Sequence, residues 1–263
     1  MSTHLAPAKL TLSLAVTGVR PDGFHELRAE MVALSLADEL TFTEGGSGLT
    51  VTADSGTRGE KLEGLEGNLI TRALAATGRQ AAVRLVKRIP LGGGLGGGSS
   101  DAAAVLRWAG CTDPAVAVAL GSDVPFSVAG GRALVEGIGE RVTPLPFVAR
   151  QFLLLVPPFG VDTAAVYAAW DRAGGPAHAT NALTGPALEV EPRLAPWRNA
   201  LGELTGTEPQ LAGSGSTWFT EGGPAGAGTA AQPWLSVDGE QGRLVRVRTV
   251  PAGWEGEGVG EGG

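Results

Sequence analysis

Six glycines fall within the seven residues Gly92–Gly98, interrupted only by Leu95, in the stretch Pro90-Leu-Gly-Gly-Gly-Leu-Gly-Gly-Gly-Ser-Ser-Asp-Ala-Ala-Ala-Val-Leu106. Glycine gives up more backbone freedom on ordering than any other residue, so such a run is costly unless the chain must bend tightly or lie close to something. Its flanks narrow the choice. Upstream, Ala82–Ile89 reads as a strand; downstream come helix formers, with Ser99 or Ser100 read as the cap of a helix running to about Ala109. A strand, a glycine loop and a helix N-terminus together make an anion site, because loop N–H groups converge and the helix dipole adds about half a positive charge. We therefore read Pro90, Leu91, Gly92, Gly93, Gly94, Leu95, Gly96, Gly97, Gly98, Ser99 and Ser100 as a phosphate cradle.

Three familiar phosphate loops do not fit. The Walker pattern needs Lys and then Ser or Thr after the last glycine, and here Ser99 and Ser100 follow Gly98. A dinucleotide fold wants an acidic residue ending the next strand, and a helix followed by Asp113-Pro114 comes instead. The protein-kinase catalytic and metal loops are absent.

Composition removes other classes. At 263 residues the chain is long enough for one large domain or two modest ones, and 43% hydrophobic with 18% charged residues suits a globular enzyme. A net charge of −7 argues against binding nucleic acid through its phosphates. The single Cys111 excludes an internal disulfide and suits a reducing compartment. No run approaches the roughly 18 apolar residues that a membrane helix needs. The segment Leu10–Thr17 imitates an export signal, but its apolar residues alternate with Thr and Ser as in a strand, and a cytoplasmic protein without a membrane partner is expected. Arginine outnumbers lysine 17 to three, which draws attention to Lys9, Lys61 and Lys87.

Along the chain, strands are expected at 8–18, 27–36, 39–43 and 49–53, with a turn at 20–25. A helix over 68–77 stops at Gly78, and a short one over 113–120 stops at Gly121. The loop Gly121–Phe126 follows, then strands at 132–136 and 140–143. Pro144 and Pro146 mark a boundary. Beyond them come a buried strand at 152–156, a helix at 162–170, a Gly/Ser loop running into a strand over 210–220, a strand at 244–250 and a loose tail from 251.

The glycine loop resembles that of the GHMP kinases (galactokinase, homoserine, mevalonate and phosphomevalonate kinases), which reads Pro-x-x-x-Gly-Leu-Gly-Ser-Ser-x-Ala. Its longer form, together with Ala6-Pro-Ala-Lys-Leu10, Gly18-Val-Arg-Pro-Asp-Gly-Phe-His25, Leu120-Gly-Ser-Asp-Val-Pro-Phe126 and Ala212-Gly-Ser-Gly-Ser216, is similar to one branch of that family. That branch phosphorylates the 2-hydroxyl of a cytidine-diphosphate-linked methylerythritol in non-mevalonate isoprenoid precursor biosynthesis. The resemblance implies a two-domain α/β (α+β) fold. Residues 1–150 would be an ATP-binding domain like ribosomal protein S5 domain 2, residues 151–250 a ferredoxin-like domain, and 251–263 a tail. It further implies ATP and Mg²⁺ as cofactors, Lys9 and Asp123 as catalytic residues, and Phe24, His25 and Tyr167 around the cytosine.

Read without the family, Asp123 before Val-Pro is a turn former and Tyr167 among Ala164, Ala165 and Ala168 is helix-face core. Asp101 is either a metal group or an ordinary partner of the helix dipole, and the metal ligands and oligomeric state stay open. The sequence departs from the branch at Thr11 in place of Asn, Phe24 in place of Tyr and Ala168 in place of Lys, and it shortens the segment between Asp101 and Asp123. A GHMP kinase for another small alcohol, or an ATP-binding protein without catalysis, are the competing readings.

Overall fold

In the computed structural model, residues 1–53, 68–175, 180–222 and 233–256 are described; Lys61 and residues 257–263 of the expected tail lie outside them. Two long antiparallel strands, β1 (Ser2–Val19) and β2 (His25–Glu44), meet at the 20–24 turn. The sequence reading broke β2 into two strands. The chain runs straight through instead, because Ala37 and Asp38 keep their pairing with Pro7 and Ala6.

The other edge of β2 is shared. β5 (Arg132–Gly137) pairs along Leu27–Val32, and β4 (Ala81–Lys87) along Glu39–Glu44. β3 (Leu49–Ala53) lies parallel to β4, and β6 (Arg141–Pro144) lies beside β5. A second, antiparallel sheet has the order β10 (Trp234–Val237), β11 (Glu240–Arg248), β7 (Gln151–Val156), β9 (Trp218–Glu221) and β8 (Gln210–Leu211). The change of sheet falls between Pro144 and Gln151, at the proline doublet.

The run Phe152-Leu-Leu-Leu-Val156 is apolar throughout because both faces of β7 are covered. Phe152, Leu154 and Val156 pack with Leu10, Leu12 and Leu34 of the first sheet, while Leu153 and Leu155 join Val166, Trp197 and Trp218.

The helices follow local signals. In α1 (Leu69–Thr77) the Asn68 side chain accepts from the Ile70 amide at 2.8 Å, and Gly78 closes the helix in the left-handed region. Asp113 caps α3 (Pro114–Leu120), and Asp162 caps α5 (Thr163–Arg172). The central helix, α2 (Gly97–Ala109), buries Ala102–Leu106 against the first sheet.

Three further expectations are corrected, and two helices appear where none was expected. α2 starts at Gly97 with Gly96 as its cap, so Ser99 and Ser100 lie inside its first turn. The expected loop over 121–126 ends early, because α4 (Val124–Ala129) begins within it; Pro125 is tolerated in a first turn, where no amide is needed. The two unexpected helices, α6 (Thr184–Val190) and α7 (Leu194–Thr205), carry Pro186 and Pro196 in their first turns, where proline is likewise tolerated. The start of the expected loose tail is held as far as it is described, with Ala252 lying against Gly131 and Gly256 against Leu5. Among the described residues no helix is long and apolar enough to cross a membrane.

Trp197, 2% exposed, anchors the second sheet, and Gly242 passes so close that a Cβ there would lie 2.3 Å from the indole. Trp197→Ala leaves a large cavity and is expected to cost about 3–5 kcal/mol. Urea denaturation should show a lower midpoint with an unchanged slope.

Candidate active site

Lys9 lies on β1 just past a bulge, and its backbone amide donates to the Leu95 carbonyl of the glycine loop at 2.9 Å. Its side chain then runs beneath Gly96. A Cβ at that position would come 2.7 Å from Lys9 Cγ, and Gly96 has φ +69°, so both contact and backbone require glycine. Gly94, at φ +76°, is wedged in the same way against the Ala212 and Gly215 carbonyls, 2.6 and 2.7 Å from a built Cβ. The first and last glycine motifs therefore interlock.

Because no side chain caps α2, the amides of Gly97, Gly98 and Ser99 have no partner within the helix, whereas Ser100 N donates to Gly96 O at 2.9 Å. Those three amides are available to an anion at the start of the helix. The two serines differ: Ser100 is buried and its hydroxyl donates to the Pro7 carbonyl, which leaves Ser99 as the hydroxyl nearer the loop mouth.

Lys9 Nζ stands 3.5 Å from Asp123 Oδ2 and donates to Thr11 Oγ1 at 3.2 Å. The Lys9 side chain is 7% exposed and that of Asp123 28%, so the pair opens on the carboxylate side. Asp123 occupies the N-cap position of α4 yet makes no capping bond, which leaves its carboxylate to face the ammonium. Thr11, the departure from the family pattern, is here a partner of the lysine. Asn181, which the sequence did not single out, donates its amide to Leu211 O at 2.9 Å and Gly213 O at 2.6 Å, holding the last glycine motif over Lys9.

Beside this pair opens a cleft of about 610 Å³ lined by Phe24, His25, Ser122, Tyr167, Ala168 and Asp171 among others. Its size suits a small-molecule ligand. Phe24 is 60% exposed on the wall, and the His25 ring packs on Tyr167 with centroids 4.7 Å apart and planes tilted by 30°. Trp170 meets the imidazole edge-on at 5.6 Å. Burial, and then the nearby Asp123 charge, push the Tyr167 phenol well above its ordinary range. No Lys or Arg lines the cleft among the described residues, so the lysine replaced by Ala168 has no substitute on that wall.

Below the loop lies a second buried charge cluster. Lys87 Nζ bonds Asp38 Oδ2 at 2.5 Å and Asp101 Oδ2 at 2.9 Å, all three residues being at most 3% exposed. Asp38 also accepts from the Arg88 and Ile89 amides, whereas Asp101 Oδ1 has no partner. Burial pushes Asp101 up to about 7. Asp101 does not suit Mg²⁺, because the lysine on its carboxylate opposes a second cation; among the described residues no three His, Cys, Asp or Glu converge as metal ligands.

Residues 68–112, which run from the start of α1 through the glycine loop and α2, match the family model for the GHMP kinases N terminal domain. The chain is 37% identical over 234 residues to 4-diphosphocytidyl-2-C-methyl-D-erythritol kinase of Paracoccus denitrificans (strain Pd 1222), covering 81% of this chain and 84% of the relative. It is 38% identical to the protein of that name from Pelotomaculum thermopropionicum (strain DSM 13744 / JCM 10971 / SI), covering 82% and 88%. A crystal structure of 4-(cytidine 5'-diphospho)-2C-methyl-D-erythritol kinase superposes with a TM-score of 0.65 at 35% identity, covering 83% of this chain and 89% of that one. The chain belongs to the 4-diphosphocytidyl-2-C-methyl-D-erythritol kinase family.

The buried triad has a measurable consequence. The native Asp101 carboxyl keeps its proton to about pH 7, and the unfolded one only to about 3.8. Between those values the native state binds more protons, so this group's contribution to stability falls as pH rises from about 4 to about 7. Asp101→Asn should flatten that part of the pH–stability curve, as read by urea denaturation at a series of pH values.

Proposed function

We propose that the protein transfers the γ-phosphoryl group of ATP to the 2-hydroxyl of 4-diphosphocytidyl-2-C-methyl-D-erythritol. The observation that carries this reading is the Lys9–Asp123 pair, 3.5 Å apart, between the amides at the start of α2 and the aromatic-walled cleft. Phosphoryl transfer asks the protein mainly to position its reactants and to offset charge. Backbone amides of the glycine loop hold the triphosphate. Phe24, His25 and Tyr167 form the cytosine site, which brings the methylerythritol end toward Asp123.

A carboxylate is far too weak a base to ionise an alcohol beforehand. Asp123 therefore orients the hydroxyl and takes its proton late, as the bond to the leaving phosphate loosens. Lys9 offsets the charge that builds on the attacking oxygen, and Thr11 fixes the ammonium. Mg²⁺ fits as an ion carried largely by ATP phosphates rather than in a protein cage, and it would neutralise phosphate charge when bound. We assign the first sheet and its helices, 1–150, to the ribosomal protein S5 domain 2 type and residues 151–250 to a ferredoxin-like domain, and place the enzyme in the cytoplasm.

ATP consumption assayed separately with the cytidyl substrate, mevalonate and homoserine tests the assignment. Turnover with the first alone is expected, and turnover with another alcohol instead would overturn it. Asp123→Asn keeps the shape and removes the proton acceptor, so kcat should fall by roughly 10²–10⁴ with ATP affinity nearly intact. Near-normal turnover would reduce Asp123 to a turn former.

A further inference from the structure

Asp171 stands at the far end of α5, 146 residues from its partner, and neither composition nor motif marks it. Its Oδ1 lies 2.8 Å from His25 Nε2. The imidazole is only 13% exposed, clamped between Tyr167 on its face and Trp170 at its edge, both from the same helix. Asp171 thus ties the start of β2 to α5 at the wall of the cleft that both residues line. His25 Nδ1 makes no hydrogen bond among the described residues.

We propose that Asp171 is a positioning residue for base selection: by accepting the Nε2 proton it fixes His25 in one tautomer and leaves Nδ1 as a bare acceptor on the cleft wall. The inference rests on the cytosine-cleft reading above. An acceptor suits the exocyclic amine of an aminopyrimidine and opposes the carbonyl oxygen that uracil carries at the same place. A carboxylate on one ring nitrogen settling what the other can do is the general behaviour of histidine. The rings of Tyr167 and Trp170 supply the second half of the device, because they prevent the imidazole from turning over and exchanging its two nitrogens. Asp171 itself is 48% exposed, so replacing it removes an acceptor without opening the core.

The test compares CDP with UDP, measured by calorimetry on the full chain, with ATP as the control ligand. Wild type should prefer CDP by about tenfold, the worth of one well-placed hydrogen bond. Asp171→Ala should bring the two affinities to within about twofold while ATP binding is unchanged. Asp171→Asn, whose amide oxygen still accepts from Nε2–H, should retain most of the preference. With only three histidines in the chain, ¹⁵N NMR can read the His25 ring directly. A proton on Nε2 alone is expected in wild type, and a mixed population in Asp171→Ala. A ring protonated on Nδ1, or a CDP preference that survives Asp171→Ala, would overturn the proposal and leave the cleft assignment standing. A wild type that binds ATP but shows no preference for CDP would overturn the cytosine cleft itself.

Discussion

One lysine stem sets the geometry on which the rest of the site depends. Lys9 is tied to the glycine loop at its backbone, pressed by Gly96 along its methylenes, and met by Thr11 and Asp123 at its tip. Burying an ammonium is unfavourable unless it is paired and hydrogen-bonded, so the loop can close on this stem only if those partners are present. The partnership is deliberately incomplete on one side, since Asp123 remains partly exposed. That open side adjoins Ser122, which lines the cleft. In the proposed reaction, binding phosphate and activating a hydroxyl would be coupled through the same few ångströms of side chain.

Part of the glycine run is explained by backbone meeting backbone. Gly94 lies against the Ala212–Gly215 turn from the second half of the chain, and Asn181 holds that turn in place with both amide hydrogens. The phosphate loop is therefore built by both sheets. Lysine scarcity has a related cause. Of the two described lysines, one threads under Gly96 and the other is clamped between Asp38 and Asp101 with its Nζ 2.9 Å from a Cβ built at Gly97. A guanidinium is too broad for either space. In a chain that otherwise uses arginine, these are the places where a slim cation is required.

Much of this was legible in the residues. The Asn68 and Asp113 caps, the Gly78 stop and the apolar run of β7 announce their elements through local chemistry. What stayed hidden was either tertiary or masked by proline. Pro125, Pro186 and Pro196 each sit in a helical first turn, where proline is acceptable but reads as a break. Lys87 shows a quieter signal, since Ala81, Val83, Leu85 and Lys87 share the buried face of β4, and a lysine in that register needs a partner. Asp171 and Asn181 offered no such clue, because their partners lie 146 and 30–32 residues away. The bond from the Ser100 hydroxyl to the Pro7 carbonyl was equally out of reach, because those residues lie 93 apart.

The central claim is that Lys9 and Asp123 act on the hydroxyl as one unit, and a double-mutant cycle on kcat measures it most directly. Asp123→Asn, Lys9→Met and the double variant would be compared at saturating ATP and cytidyl substrate, with ATP affinity as the control. If the two groups serve one proton and one developing charge, the double variant should be little slower than the worse single variant. Losses that multiply, with the double variant slower by the product of the two single effects, would mean that lysine and aspartate work independently and would contradict the account.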